Sequence, residues 1–212
     1  MRNDYSDLKK LLESASNLPY FEVTDFLAIN SDNYVKILIS RYAKRGELVR
    51  LKKGIYVSKS YIDSVNRDVY GEFVANILYE PSYLSLEYVL SEYGIMTESV
   101  KNFTSVSLLR TNSFSNVLGH YFYHKVRNDL FLGFDIIKEG DLRILKATKA
   151  KALFDYLYLR KNILNKDDSL AELRLNLENV LPRDWKEFGR YVDIEGSEKM
   201  KSIYDYLKKW RY

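Results

Sequence analysis

The chain has 212 residues, with 33 Lys and Arg against 29 Asp and Glu, a formal net charge of +4, two His and no Cys. This length suits one large domain or two small ones, and a body of this size buries roughly 70% of its unfolded surface without a disulfide or metal staple. The missing Cys excludes disulfide frameworks, thiolate zinc sites, iron–sulfur clusters and cysteine nucleophiles, while nineteen Tyr and ten Phe against three Pro exclude a disordered chain.

No apolar run approaches the ~18 residues of a membrane span, and Met1 to Leu8 holds no signal-peptide core. The expectation is a soluble cytoplasmic protein without a membrane partner. Its charge is unevenly placed. Residues 1–35 carry three basic and six acidic side chains. Residues 36–59 carry Lys36, Arg41, Lys44, Arg45, Arg50, Lys52, Lys53 and Lys59 against Glu47 alone, a local charge of +7, and the remaining residues balance. Such concentration is the electrostatic footprint of a phosphate-backbone binder. The alternative is a solvated helix face followed by a lysine-rich turn.

Tyr5 to Ser16 places Leu8, Leu11, Leu12 and Ala15 at helical spacing behind Asp4 as N-cap, and Pro19 ends it. Phe21 to Ala28 reads as a second short helix. Ser31 or Asp32 caps a third, running to about Arg45 and ended by Gly46. In that third helix Val35, Leu38, Ile39 and Tyr42 form one apolar stripe, and the opposite face carries Asn33, Lys36, Ser40, Arg41 and Lys44. These are side chains that donate to base edges and phosphates. Beyond Gly46, Leu48–Leu51 and Ile55–Val57 are β-favouring runs joined by Lys52-Lys53-Gly54, a tight hairpin. Helices followed by a basic hairpin give the order of a winged helix-turn-helix, whose third helix enters the major groove while the hairpin tip meets the flanking backbone. The candidate DNA-contacting residues are therefore Asn33, Lys36, Ser40, Arg41, Lys44, Arg45, Arg50, Lys52 and Lys53. The same fold used only for protein contact is the alternative.

Residues 1–60 form this first domain, 61–67 a polar connector, and 68–212 a larger C-terminal domain. There Asp68 to Tyr79 reads as a helix broken at Glu80-Pro81, and Ser82 to Tyr93 as an amphipathic helix ended by Gly94. Strand-like runs follow at Val106–Leu109, Tyr121–Val126, Leu130–Ile137 and Leu142–Ala147, the last two joined by a turn at Glu139-Gly140-Asp141. Thr148 caps a long helix. Ser169 with Glu172 forms a capping box for another helix ended by Pro182, and Asp184–Tyr191 and Ser197–Trp210 complete a helical tail. The fold class is α+β: an N-terminal winged helix-turn-helix followed by a larger mixed domain with a helical tail.

Three segments carry a family resemblance. Leu38 to Val57, with its Lys52-Lys53-Gly54 turn, resembles the N-terminal domain of AbiEi-type antitoxins, the transcription-regulating antitoxins of bacterial type IV abortive-infection systems. Tyr83 to Ile95 is similar to that family's S-x-x-A-L-x-x-x-G-L segment, with Val89 where Ala is usual. Ala147 to Tyr158 is similar to its A-T-x-x-K-A-L-x-D-x-L-Y segment. The resemblance covers about residues 20–160; the last fifty residues match only in being helical. It implies a DNA-binding antitoxin that represses its own operon through double-stranded operator DNA bearing inverted repeats. It also implies that the C-terminal domain counters a cognate nucleotidyltransferase-like toxin.

Enzyme readings find little support. His120 and His124 are the only histidines, and Tyr121-Phe122-Tyr123 between them favours a strand over a metal-binding helix face. Asp184-Trp185-Lys186 and Asp7-Leu8-Lys9 have the D-x-K form of metal-dependent nucleases but lack a matching strand-borne acid. There is no Gly-x-Gly-x-x-Gly and no Walker A loop. Lys149, Lys151 and Asp155 lie around one helix start and suit either a phosphate grip or, more simply, an i, i+4 pair of Lys151 with Asp155. The expectation is a non-enzyme without cofactor or metal, the alternative a metal-dependent nuclease to which a winged helix delivers DNA.

Overall fold

The computed structural model describes residues 12–26, 32–164 and 167–209. The chain is mixed α+β and divides into two compact units, residues 1–74 with Phe114–His120, and residues 75–113 with 121–212. No helix among the described residues is long and apolar enough to cross a membrane.

In the first unit, 12–15 is helical. The rest of the expected first helix lies outside the described residues, as do the Asp4 and Ser31 caps, Asp7 and the end of the second helix at Ala28. Phe21–Glu22 is a strand, β1, and Val23–Phe26 a single 3-10 turn, where a second helix was expected from Phe21. The Asp25 carboxylate accepts from the Glu22 amide at 2.8 Å, and the Val23 amide donates to the Gly54 carbonyl at 2.9 Å, so a local side-chain bond and a backbone bond across the unit take these amides in place of helical ones. The helix α1 (Asp32–Lys44) leads into β2 (Leu48–Lys52) and β3 (Ile55–Ser58), which pair antiparallel; the sheet order is β1-β3-β2. Leu12, Ala15, Phe21, Phe26, Val35, Leu38, Ile39 and Leu48 form one buried cluster beneath α1.

The segment 61–67, expected as a connector, instead contributes to a helix, α2 (Lys59–Ser64). Ser58 caps it by accepting from the Tyr61 amide, and Lys59 pairs with Asp63 at 2.9 Å. None of its residues is buried, so no apolar period announced it. The helix α3 (Arg67–Leu78) follows, and the division between the units falls inside it.

A six-stranded sheet of order β6-β7-β5-β4-β9-β8 follows, with β4 Ser82–Leu84, β5 Phe103–Ser107, β6 Asn112–Asn116, β7 Gly119–Lys125, β8 Phe134–Glu139 and β9 Leu142–Ala147; all of it belongs to the second unit except Phe114–Asn116 of β6 and Gly119–His120 of β7, which group with the first. Only Leu86–Glu92 of the expected helix over 82–93 is helical (α4). Its first residues are β4, paired with β5 and β9 and wholly buried, so tertiary pairing overrides the helical period. The polar strand β6 has no alternation and was not expected. The run at Leu130 begins as strand only at Phe134. The hairpin through Gly140 forms as expected.

The helix α5 (Lys149–Arg160) starts at Thr148, whose hydroxyl accepts from the Lys151 amide. Ser169 sits inside α6 (Asp167–Ala171) rather than capping it, and Pro182 opens α7 (Pro182–Glu195) rather than ending a helix, filling the first-turn position that has no need of an amide. The last element among the described residues is α8 (Glu198–Lys209); the expected helix end at Trp210 lies outside them.

A buried polar network holds α5 to the β4–α4 turn. Lys151 pairs with Asp155 one turn on, both at 0 % exposure. The Tyr83 and Ser85 hydroxyls donate to the other carboxylate oxygen at 3.0 and 2.8 Å, and the ammonium faces the rings of Tyr83, Phe154 and Tyr191 at 5.0–5.6 Å. Burial pushes the Asp155 carboxyl upward against the pull of Lys151 and the two hydroxyls. Removing one partner leaves the other charge stranded. Lys151→Met is expected to lose about 3–5 kcal/mol in urea unfolding. The double change Lys151→Met with Asp155→Leu should recover part of that loss; no difference between single and double variants would contradict the pairing.

Candidate nucleic-acid interface

Burial fixes how α1 is turned. Val35, Leu38 and Ile39 are at most 4 % exposed, and Tyr42 is half-buried against the same cluster. With 3.6 residues per turn, Asn33, Lys36, Ile37, Ser40, Arg41 and Lys44 must then share the outer face, and all six are exposed. Five of them were expected from the sequence. The sixth, Ile37, is 45 % exposed in the middle of the polar stripe. Its position in the helical period was the available signal, and its apolar character masked it.

The basic hairpin follows directly. Gly46, at φ 77°, ends α1, and the Glu47 amide returns to the Tyr42 carbonyl at 3.0 Å. Leu48, Leu51, Ile55 and Val57 point into the unit, leaving Arg50 and Lys53 exposed and Lys52 half-buried. Gly54 at φ 88° closes the turn, a conformation that costs an L side chain roughly 1–2 kcal/mol. The Arg50 guanidinium donates to the Lys52 carbonyl at 3.4 Å. The Lys52 ammonium lies 6.0 Å from the centre of the Phe114 ring, which belongs to the same unit. Arg45 lies over the Tyr42 ring at 5.8 Å and its guanidinium is 3.8 Å from Glu47, so its charge is partly answered within the chain. The structure thus places Asn33, Lys36, Ser40, Arg41 and Lys44 on one helix face and Arg50, Lys52 and Lys53 on the adjoining hairpin.

The chemistry-bearing residues of the second unit form a different picture. Tyr83, Ser85, Lys151 and Asp155 are all at 0 % exposure, so their network reaches no solute. Lys149 donates to the Asn179 carbonyl at 2.7 Å and approaches Asp184 at 3.7 Å. Asp184, the acid of the Asp184-Trp185-Lys186 triplet, accepts from the Leu181 amide at the start of α7. Among the described residues no group of three or more His, Asp or Glu side chains is placed to hold a metal ion. Both histidines lie on β7, as the aromatic spacing predicts, His120 within the first unit and His124 within the second. His120 is exposed and lies 3.0 Å from the Ser115 hydroxyl, whereas His124 is half-buried.

No known protein-family model matches the chain, and no curated protein is significantly similar to it.

Burial holds the His124 imidazole below its ordinary value; the Glu87 carboxylate opposes this and the Arg160 guanidinium adds to it. The unfolded chain therefore binds the proton first as pH falls through about 6.5. Stability should drop from there down to the depressed folded value and level off below it. Urea midpoints measured across this range should show that loss in the wild type and a smaller one in His124→Gln; equal slopes would contradict the assignment.

Proposed function

We propose that the chain is a DNA-binding antitoxin that regulates its own transcription, with residues 1–60 acting as a winged helix. In this reading α1 enters the major groove and the β2–β3 hairpin tracks the adjoining backbone. The second unit carries the antitoxin role against a nucleotidyltransferase-like toxin. The observation that carries the DNA-binding part is the sorting of side chains about α1: the apolar stripe is buried and every cation of 36–44 lies outward. The three-stranded arrangement, with β1 paired to the hairpin strand β3, adds to it. The antitoxin part rests on the three resembling segments alone. Chemistry supports the choice of residues: Arg41 and Asn33 suit bidentate contacts to guanine and adenine, Lys36 and Lys44 reach phosphates, and Ile37 suits a thymine methyl. The fold is non-enzymatic in this reading and needs no cofactor.

With about four to six phosphate contacts from Lys36, Arg41, Lys44, Arg50, Lys52 and Lys53, log K for a duplex taken from upstream of its own gene should fall with log salt at a slope of roughly −4 to −5. Salt-independent affinity, or none at low salt, would overturn the reading. The two halves of the surface should also separate. Arg41→Ala is expected to cost about 1–3 kcal/mol on that duplex and much less on mixed-sequence DNA. Lys52→Ala with Lys53→Ala should weaken both equally and make the salt slope shallower by about two units. Fluorescence anisotropy on both duplexes checks this, and the reversed pattern would make the hairpin the reading element.

A further inference from the structure

The Phe114–His120 turn joining β6 to β7 groups with the first unit, although it lies some sixty residues beyond the hairpin in sequence. Three contacts explain why. The Asn116 side-chain amide donates to the Leu51 carbonyl at 3.1 Å, one residue before the hairpin turn. The Phe114 ring lies under the Lys52 ammonium at 6.0 Å. The Arg67 guanidinium donates to the Val117 carbonyl at 2.8 Å, tying the turn down from α3. Along β6, Phe114 and Asn116 are half-buried while Ser113 and Ser115 between and beside them are exposed, so the two contacting residues share one side of the strand.

The contacts fall where the hairpin most needs support. The β2–β3 pairing loses its regular register between Arg50 and Lys52. Leu51 therefore sits at the irregularity, and Asn116 takes up its carbonyl there. A hairpin tip is otherwise a mobile place to mount a cation, and a long Lys side chain is the costliest to order. A ring face beside the ammonium restricts Lys52 through the ring quadrupole rather than through an opposite charge.

We infer that Phe114 and Asn116 are positioning residues for the basic hairpin, holding Lys52 in the orientation from which it meets nucleic-acid phosphate. This rests on the DNA-binding reading above. Neither residue is itself a DNA contact; each acts through Leu51 and Lys52.

The test is a double-mutant cycle on the full chain, read as affinity for a mixed-sequence DNA duplex at several salt concentrations. Phe114→Leu keeps the apolar bulk and removes the ring face. It should weaken binding roughly two- to fivefold, the scale of one exposed cation–π contact, and have no further effect in a Lys52→Ala background. Phe114→Tyr, which retains the face, should bind as the wild type does. Asn116→Ala should likewise weaken binding only while Lys52 is present. Urea midpoints of each variant separate loss of folding from loss of positioning. Wild-type affinity in Phe114→Leu, or equal losses with and without Lys52, would overturn the inference while leaving the DNA-binding reading intact. A Lys52→Ala variant that binds as tightly as the wild type would remove Lys52 from the interface and overturn both.

Discussion

The rotation of α1 about its own axis is the constraint on which the functional reading depends. Burying Val35, Leu38 and Ile39 under the helix leaves only one orientation, and that orientation alone decides which side chains meet solvent. The hydrophobic effect on the far side of the same helix points the cations outward. Each fully buried aliphatic side chain contributes on the order of 1.5–3 kcal/mol, far more than the mutual repulsion of exposed cations at physiological salt. The basic face is thus set by apolar packing, and the hairpin extends it because Leu48, Leu51, Ile55 and Val57 are buried in the same unit.

The second unit shows the opposite economy. Its central helix is anchored by a charge pair, with Lys151, Asp155, Tyr83 and Ser85 sealed from solvent. A buried pair of this kind is weak evidence for extra stability, because desolvation offsets most of the attraction. What it does supply is directionality. Only one placement of α5 against the β4–α4 turn satisfies both carboxylate oxygens, and Leu86 is held at φ 61° at that same turn. The Ala147–Tyr158 segment therefore has a local physical meaning: Thr148 caps the helix, Lys151 and Asp155 lock it, and Ala150 and Ala152 allow close approach. These are structural duties, and they answer the phosphate-grip alternative for Lys151 and Asp155 in favour of the i, i+4 pair.

What the sequence revealed follows from where period and composition agree. The stripe of α1, the Lys52-Lys53-Gly54 turn, the Gly140 hairpin and the Thr148 cap were all legible, because each is decided within a few neighbouring residues. Phe21–Glu22 and Ser82–Leu84 were misread as helix because they are strands by virtue of distant partners, Tyr56 and Ile55 for the first and β5 and β9 for the second. The helix α2 escaped notice because it buries nothing. For the candidate interface, the five polar and cationic residues on the outer face of α1 and the three on the hairpin were nameable in advance. Ile37 was hidden by its apolar type, and the support from Phe114 and Asn116 by its distance along the chain. The same local rules could not foresee that a turn sixty residues downstream reaches the basic hairpin.

Lysine acetylation of the full chain, read by mass spectrometry with and without a duplex from upstream of its own gene, tests the central claim without altering a residue. Protection is predicted at Lys36, Lys44, Lys52 and Lys53, while Lys101, Lys138 and Lys186, exposed in the second unit, keep their reactivity. Protection spread evenly over all seven, or confined to those three, would contradict an interface built on α1 and its hairpin.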